Sequence, residues 1–129
     1  MKKILAPVDF TELSEKVIEQ AAFLCSKSNS TLVLFHITEK PSEIAAHELK
    51  IQAKAAETAS KYQITCEGLV KAGSIFKDIH TEVDENEYIL VVIGTHGVRG
   101  LKQKLMGADI LKVIMKVRVP VLVVQSTSP

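Results

Sequence analysis

The chain has 129 residues, 47% of them hydrophobic and 24% charged, which is the size and make-up of one ordinary domain spanning residues 1–129. Sixteen Lys and Arg against fifteen Asp and Glu leave a formal net charge of +1, which excludes a global field pulling the protein onto nucleic acid or an anionic membrane. The opening MKKILAPVD has too short an apolar run for a signal-peptide core or a bilayer span, so the expected location is the cytoplasm.

Lys3 to Val8 is a short apolar run that reads as a strand. Asp9-Phe10-Thr11 follows, and then Leu13, Val17, Ala21 and Leu24 share one helical stripe. Thr11, with Ser14 and Glu15 nearby, offers capping chemistry at that helix start. Ser28-Asn29-Ser30 ends the helix, and Thr31 to Ile37 is so continuously apolar that it reads as a strand covered on both faces. After a polar loop containing Pro41, a long helix rich in Ala, Glu and Lys is expected from about Ser42 to Tyr62, with Ile44, Leu49 and Ile51 as its large apolar groups.

The second half repeats the alternation. Ile64 to Val70 has the pattern of a half-buried strand, Gly73-Ser74 turns the chain, and Ile75, Ile79 and Val83 lie on one face of a helix ending near Glu85-Asn86. Tyr88 to Ile93 is the most hydrophobic run and suits a central strand. A glycine-punctuated loop follows. Ile110, Val113, Ile114 and Val117 then keep helical spacing, and Pro120 to Val124 is a final strand. Five strands and four helices in strict alternation imply an α/β fold: a parallel sheet with helices on both faces, joined by right-handed crossovers.

Such sheets bind ligands beyond the carboxyl ends of their strands, where the winding reverses. Periodicity alone leaves the strand order open, a flavodoxin-like order being the competitor, but in either order the first loop, Ala6 to Thr11, lies at the crevice. The loop from Gly94 to Gly107 faces it if the first strand adjoins the fourth. Gly94-Thr95-His96-Gly97 leaves a strand end with backbone that can approach an anion, and Gly107 stands where the next helix opens its unpaired N–H groups. Arg99, Lys102 and Lys104 add positive charge between them. The same glycines can equally serve only to turn the chain, and their spacing fits neither GxxxxGK[ST] nor GxGxxG.

The sequence resembles a single-domain universal stress protein along essentially its whole length. The likeness is carried by Ile4-Leu-Ala-Pro-Val-Asp-Phe-Thr11, Leu34-Phe-His-Ile37, Gly73, Val92-Ile-Gly-Thr-His-Gly97, Leu105-Met-Gly107 and Val119-Pro-Val-Leu-Val-Val124. The resemblance implies a three-layer sandwich of the adenine nucleotide alpha hydrolase-like type with strand order 3-2-1-4-5. Many relatives bind ATP through G-x2-G-x9-G-[S/T], and Gly94, Gly97 and Gly107 occupy its three glycines at the right intervals. Ala108 stands where the pattern has Ser or Thr, and Asp109 puts a carboxylate in the same helical turn. By matched position, Pro7, Val8 and Asp9 correspond to the first-loop segment that contacts the nucleotide, Asp9 near ribose and adenine. Ile37 and Ile93 correspond to apolar residues beside the base and before the glycine loop. The residues themselves also permit Asp9 as a helix-capping partner and Ile37 and Ile93 as plain sheet packing. The expected ligand is ATP, alone or with Mg2+, at modest affinity; the alternative is a dimeric interaction module of the same family that binds no nucleotide.

Other chemistry is expected to be absent. His36 interrupts an apolar strand, His47 and His80 are expected on helix surfaces, and His96 can hydrogen-bond a ligand or the loop's own backbone. No pair of histidines has ligand spacing on one helix, so no metal site is expected. Cys25 and Cys66 read as buried small hydrophobes. With no GxSxG elbow, no catalytic Cys/His pairing, no SGGxD-like loop after the first strand and no receiver-type acidic pair, the chain reads as a non-enzyme. The last strand, residues 120–125, would form an apolar sheet edge with no internal lysine, which needs cover and suits pairing with a second copy. A homodimer and an unidentified signalling partner are the expected company.

Overall fold

The computed structural model describes residues 2–94 and 106–125. In chain order they form β1 (Lys3–Pro7), α1 (Glu12–Ser28), β2 (Thr31–Thr38), a 3-10 turn (Pro41–Glu43), α2 (Ile44–Tyr62), β3 (Cys66–Ala72), α3 (Ile75–Glu85), β4 (Tyr88–Gly94), α4 (Met106–Lys116) and β5 (Val121–Val124). The five strands make one sheet of order β3-β2-β1-β4-β5, parallel throughout. This is the expected α/β sandwich.

Period-two alternation along the central strands divides their side chains between two cores. On one face Ile4, Ala6, Leu32, Leu34 and Val92 pack against Val17, Ile18, Ala21, Ala22 and Cys25 of α1 and Ile51 and Ala55 of α2. On the other, Leu5, Val33, Phe35, Val91 and Ile93 meet Ile79 and Val83 of α3 and Val113 and Val117 of α4. β2 is buried at every position except Ile37, which is why its sequence reads as an unbroken apolar run. At β3 the backbone of α2 comes so close that a Cβ on Gly68 would stand 3.0 Å from both Cγ2 and the carbonyl oxygen of Ile51.

Several boundaries differ from the sequence expectation for local reasons. Asn29 and Gln63 close α1 and α2 in the left-handed region, at φ 55° and 56°. Ile64 N–H donates back to the Ala59 carbonyl at 3.2 Å, so Ile64 belongs to the helix cap and β3 starts only at Cys66. Pro41 opens a 3-10 turn, which delays α2 to Ile44. Leu49 is 77% exposed and is not a core residue. Cys25 is buried but Cys66 is only partly so, and burial pushes both thiols up to about 12, which keeps them protonated and unreactive at neutral pH. The side chains of Leu13, Ile75 and Ile110 lie outside the described residues.

Glu82 is buried although its residue type points to a surface position. It is 5% exposed, yet it accepts hydrogen bonds from the Tyr88 hydroxyl at 2.8 Å, Asn86 Nδ2 at 3.2 Å and Lys71 Nζ at 3.1 Å. Burial, and then the Glu82 carboxylate, push the Tyr88 phenol up, so it stays a donor. The carboxylate thereby ties α3 to β3 and β4, and its neighbours replace most of the water it gives up.

Candidate functional site

The order β3-β2-β1-β4-β5 puts the winding reversal between β1 and β4, because the chain steps outward from β1 to β2 and β3 and then crosses to β4 on the opposite side. A parallel doubly covered sheet opens its crevice there, at the carboxyl ends of the two strands. Pro7 closes β1 and Gly94 closes β4, and the parallel register that pairs Leu5 with Val91 carries both strands to the same end. Pro7, Val8, Ile93 and Gly94 are buried, Ile93 at 2% exposure. Ile37, one residue before the end of β2, is partly open and packs against the second core. Gly107 and Ala108 fall in the first turn of α4. His96 and Gly97 lie outside the described residues, as do Arg99, Lys102 and Lys104.

The first loop is held from two directions. Val8 N–H donates to the Phe35 carbonyl at 2.9 Å, and His36 Nδ1 donates to the Val8 carbonyl at 2.8 Å. A carbonyl can only accept, so the contact assigns the proton to Nδ1 of the neutral ring. Asp9 then turns inward on the start of α1. Its Oδ1 accepts from Thr11 N–H at 3.1 Å and from the Ser14 hydroxyl at 2.7 Å, while Ser14 Oγ accepts from Asp9 N–H at 2.9 Å.

That arrangement corrects one expectation. Thr11 is the capping residue by position but makes no side-chain cap bond; its hydroxyl donates to Asp9 instead. The carboxylate two residues upstream does the work of ordering this turn. Asp9 is therefore part of the local structure of α1, whatever else it contacts.

His47 also departs from expectation. It does not sit on the outer surface of α2 but turns against His36, with ring centroids 4.7 Å apart and planes at 84°. Its Nδ1 is buried and makes no hydrogen bond. The ring of Phe10 completes the group, 4.5 Å from His36 and 5.7 Å from His47. Two of the four histidines thus meet from different elements, which no spacing along one helix could show. Among the described residues no cluster of three or more His, Cys, Asp and Glu side chains could hold a metal ion.

A cavity of about 330 Å³ opens at the other end of the sheet, between the C-termini of α1 and α2 and the start of β3. Its lining, including Ser26, Asn29, Ser30 and Gln63, carries no charged side chain and none of the residues named above for the crevice. Among the described residues no helix is long and apolar enough to cross a membrane.

Comparison with known proteins agrees with this architecture. Residues 1–125 match the model of the Universal stress protein family. The chain is 25% identical over 145 aligned positions to Universal stress protein YxiE of Bacillus subtilis, an alignment covering 95% of this chain and 98% of that one. Among solved structures it is similar to a universal stress protein in complex with cAMP, with a TM-score of 0.78 at 20% identity and 98% of each chain covered. It is likewise similar to the universal stress protein from Archaeoglobus fulgidus in complex with dAMP, with a TM-score of 0.77 at 21% identity over 95% of this chain and 97% of that one.

Proposed function

We propose that this chain, which belongs to the universal stress protein family, binds an adenine nucleotide in the crevice between β1 and β4 and acts through protein partners without turning the nucleotide over. The observation that carries this reading is the placement of the winding reversal: β1 and β4 are neighbours, so the first loop, Gly94 and the opening turn of α4 all serve one end of the sheet. In this reading Pro7, Val8, Ile37 and Ile93 line the base, Asp9 lies near the ribose, and backbone N–H groups from Gly94 through His96 and Gly97 to Gly107 and Ala108 receive the phosphates, with or without Mg2+. The family relatives solved with cAMP and with dAMP support adenine as the base.

Calorimetric titration of the purified protein with ATP and MgCl2 tests it. The expected result is saturable binding of modest affinity, with no release of phosphate over hours. Absence of heat at high protein concentration would remove the nucleotide. A second reading, a dimeric interaction module without nucleotide, would then stand, and it is favoured by Asp9 already serving Thr11 and Ser14.

Both readings include a homodimer formed through the last strand, residues 120–125. β5 is a sheet edge with Leu122 38% exposed, and the adjoining α4 exposes Leu111, Ile114 and Met115 at 56%, 41% and 78%. An apolar edge of this kind is covered most simply by its own copy. Leu122→Lys places like charges opposite each other across such an edge, so sedimentation is expected to shift from dimer to monomer; an unchanged mass would place the interface elsewhere.

A further inference from the structure

The cluster beneath the first loop is not accounted for by nucleotide binding. Phe10 sits at φ 65°, a conformation that non-glycine residues adopt at a cost, and lays its ring on His36 and His47. Lys50 Nζ lies 5.7 Å from the centroid of the same ring. Among the described residues, the charged or titratable groups acting on His36 are His47 and Lys50 from α2 and Asp9 from the first loop. The seat therefore holds two imidazoles and an ammonium against one carboxylate, whose Oδ1 is shared with Thr11 and Ser14.

We propose that His36, packed edge-on against His47, forms a proton-operated seat for the first loop: with its ring neutral the two rings clamp Phe10 and hold Val8 and Asp9 at the crevice, and a proton taken up by His36 in mildly acidic solution releases the loop.

The chemistry runs as follows. Neutral His36 uses Nδ1–H on the Val8 carbonyl and needs no second donor bond. A proton on its other nitrogen puts a charge on this buried side chain with a second imidazole 4.7 Å away. Phe10 could face a new cation, but Lys50 already occupies that role and would repel it. Opening the loop to water relieves both the burial of the charge and its repulsion. Burial holds His36 below its ordinary 6.5; the Val8 carbonyl opposes that, His47 adds to it, Asp9 opposes and Lys50 adds. The clamp is therefore at full strength above about pH 6.5 and is lost as pH falls from there through the lowered value.

Amide hydrogen exchange on the nucleotide-free protein tests the seat. The Asp9 and Thr11 amides, which donate to Ser14 Oγ and Asp9 Oδ1, are expected to lose protection by up to about tenfold between pH 7.5 and 5.5, after correction for intrinsic exchange. The same midpoint is expected in the Cε1–H resonance of His36 in the unmodified protein, a measurement that needs no variant to fold. His36→Gln with His47→Phe, which keeps a donor for Val8 and a ring for Phe10, should abolish the dependence. Flat protection across this range, a midpoint that does not match the His36 resonance, or the same pH response in the double variant would each overturn the seat. Its link to ligand binding rests on the nucleotide reading: ATP affinity should weaken with the same midpoint, and a pH-independent affinity beside a titrating loop overturns that link alone. Because the exchange experiment contains no nucleotide, failure of ATP to bind leaves the loop result intact.

Discussion

Phe35→Ala is expected to cost about 3–5 kcal/mol of folding stability, a large share of the roughly 5–15 kcal/mol available to a domain. Phe35 is fully buried at 0% exposure in the middle of the sheet, where its ring packs with Leu5, Val33, Val91 and Ile93 and meets the layer of α3 and α4. Removing the ring forfeits its transfer free energy and leaves a void that a sheet covered on both faces cannot close by collapse. The backbone consequence reaches the crevice, since the Phe35 carbonyl accepts the Val8 N–H at 2.9 Å. Urea unfolding followed by far-UV circular dichroism should show a lower midpoint with an unchanged slope, the sign of lost stability without a changed unfolded state. Phe35→Leu should recover more than half of the loss. A loss under about 1 kcal/mol for the alanine variant would mean that this layer is not packed as described.

Most of the architecture was legible because burial and periodicity coincide in the central strands. β2 and β4 are covered on both faces, and their sequences are accordingly apolar at consecutive positions. α1 is amphipathic, and the stripe containing Val17 and Ala21 does face the sheet. Strand order was different in kind: nothing in the alternation of β and α segments says on which side of β1 the chain returns, and only the family resemblance supplied 3-2-1-4-5.

What sequence reading missed were polar groups whose partners come from elsewhere in the fold. His47 was expected on a surface because it is polar, although it shares the α2 stripe of Ile44, Ile51, Ala55 and Thr58, the last three of which are buried. Glu82 likewise stands beside Val83 and three residues after Ile79, on the inner side of α3. In both cases the helical period carried the information and residue type overrode it. The partners, His36 in one case and Tyr88 with Lys71 in the other, are set by tertiary contact. Asp9 shows the converse. A carboxylate three residues before a helix can order that helix start or reach a ligand, and its bonds to Thr11 and Ser14 establish the first role.

Ala108→Ser is expected to tighten ATP binding by roughly ten- to a hundredfold, the equivalent of about 1.5–3 kcal/mol for one hydrogen bond to a charged partner. Ala108 lies in the first turn of α4, where a serine costs only a few tenths of a kcal/mol in helix propensity, so stability should barely move and the affinity change can be assigned to contact. The gain should be present for ATP and absent for adenosine, because adenosine brings no phosphate oxygen to the added hydroxyl. Asp109 sharpens the test. A carboxylate in this turn favours the helix dipole but repels a bound anion, so Asp109→Asn should tighten ATP further and make binding less sensitive to salt. If the serine variant binds ATP no better than the parent, the phosphates do not reach the opening turn of α4, and the base-side residues Pro7, Val8 and Ile37 would have to carry any nucleotide affinity without it.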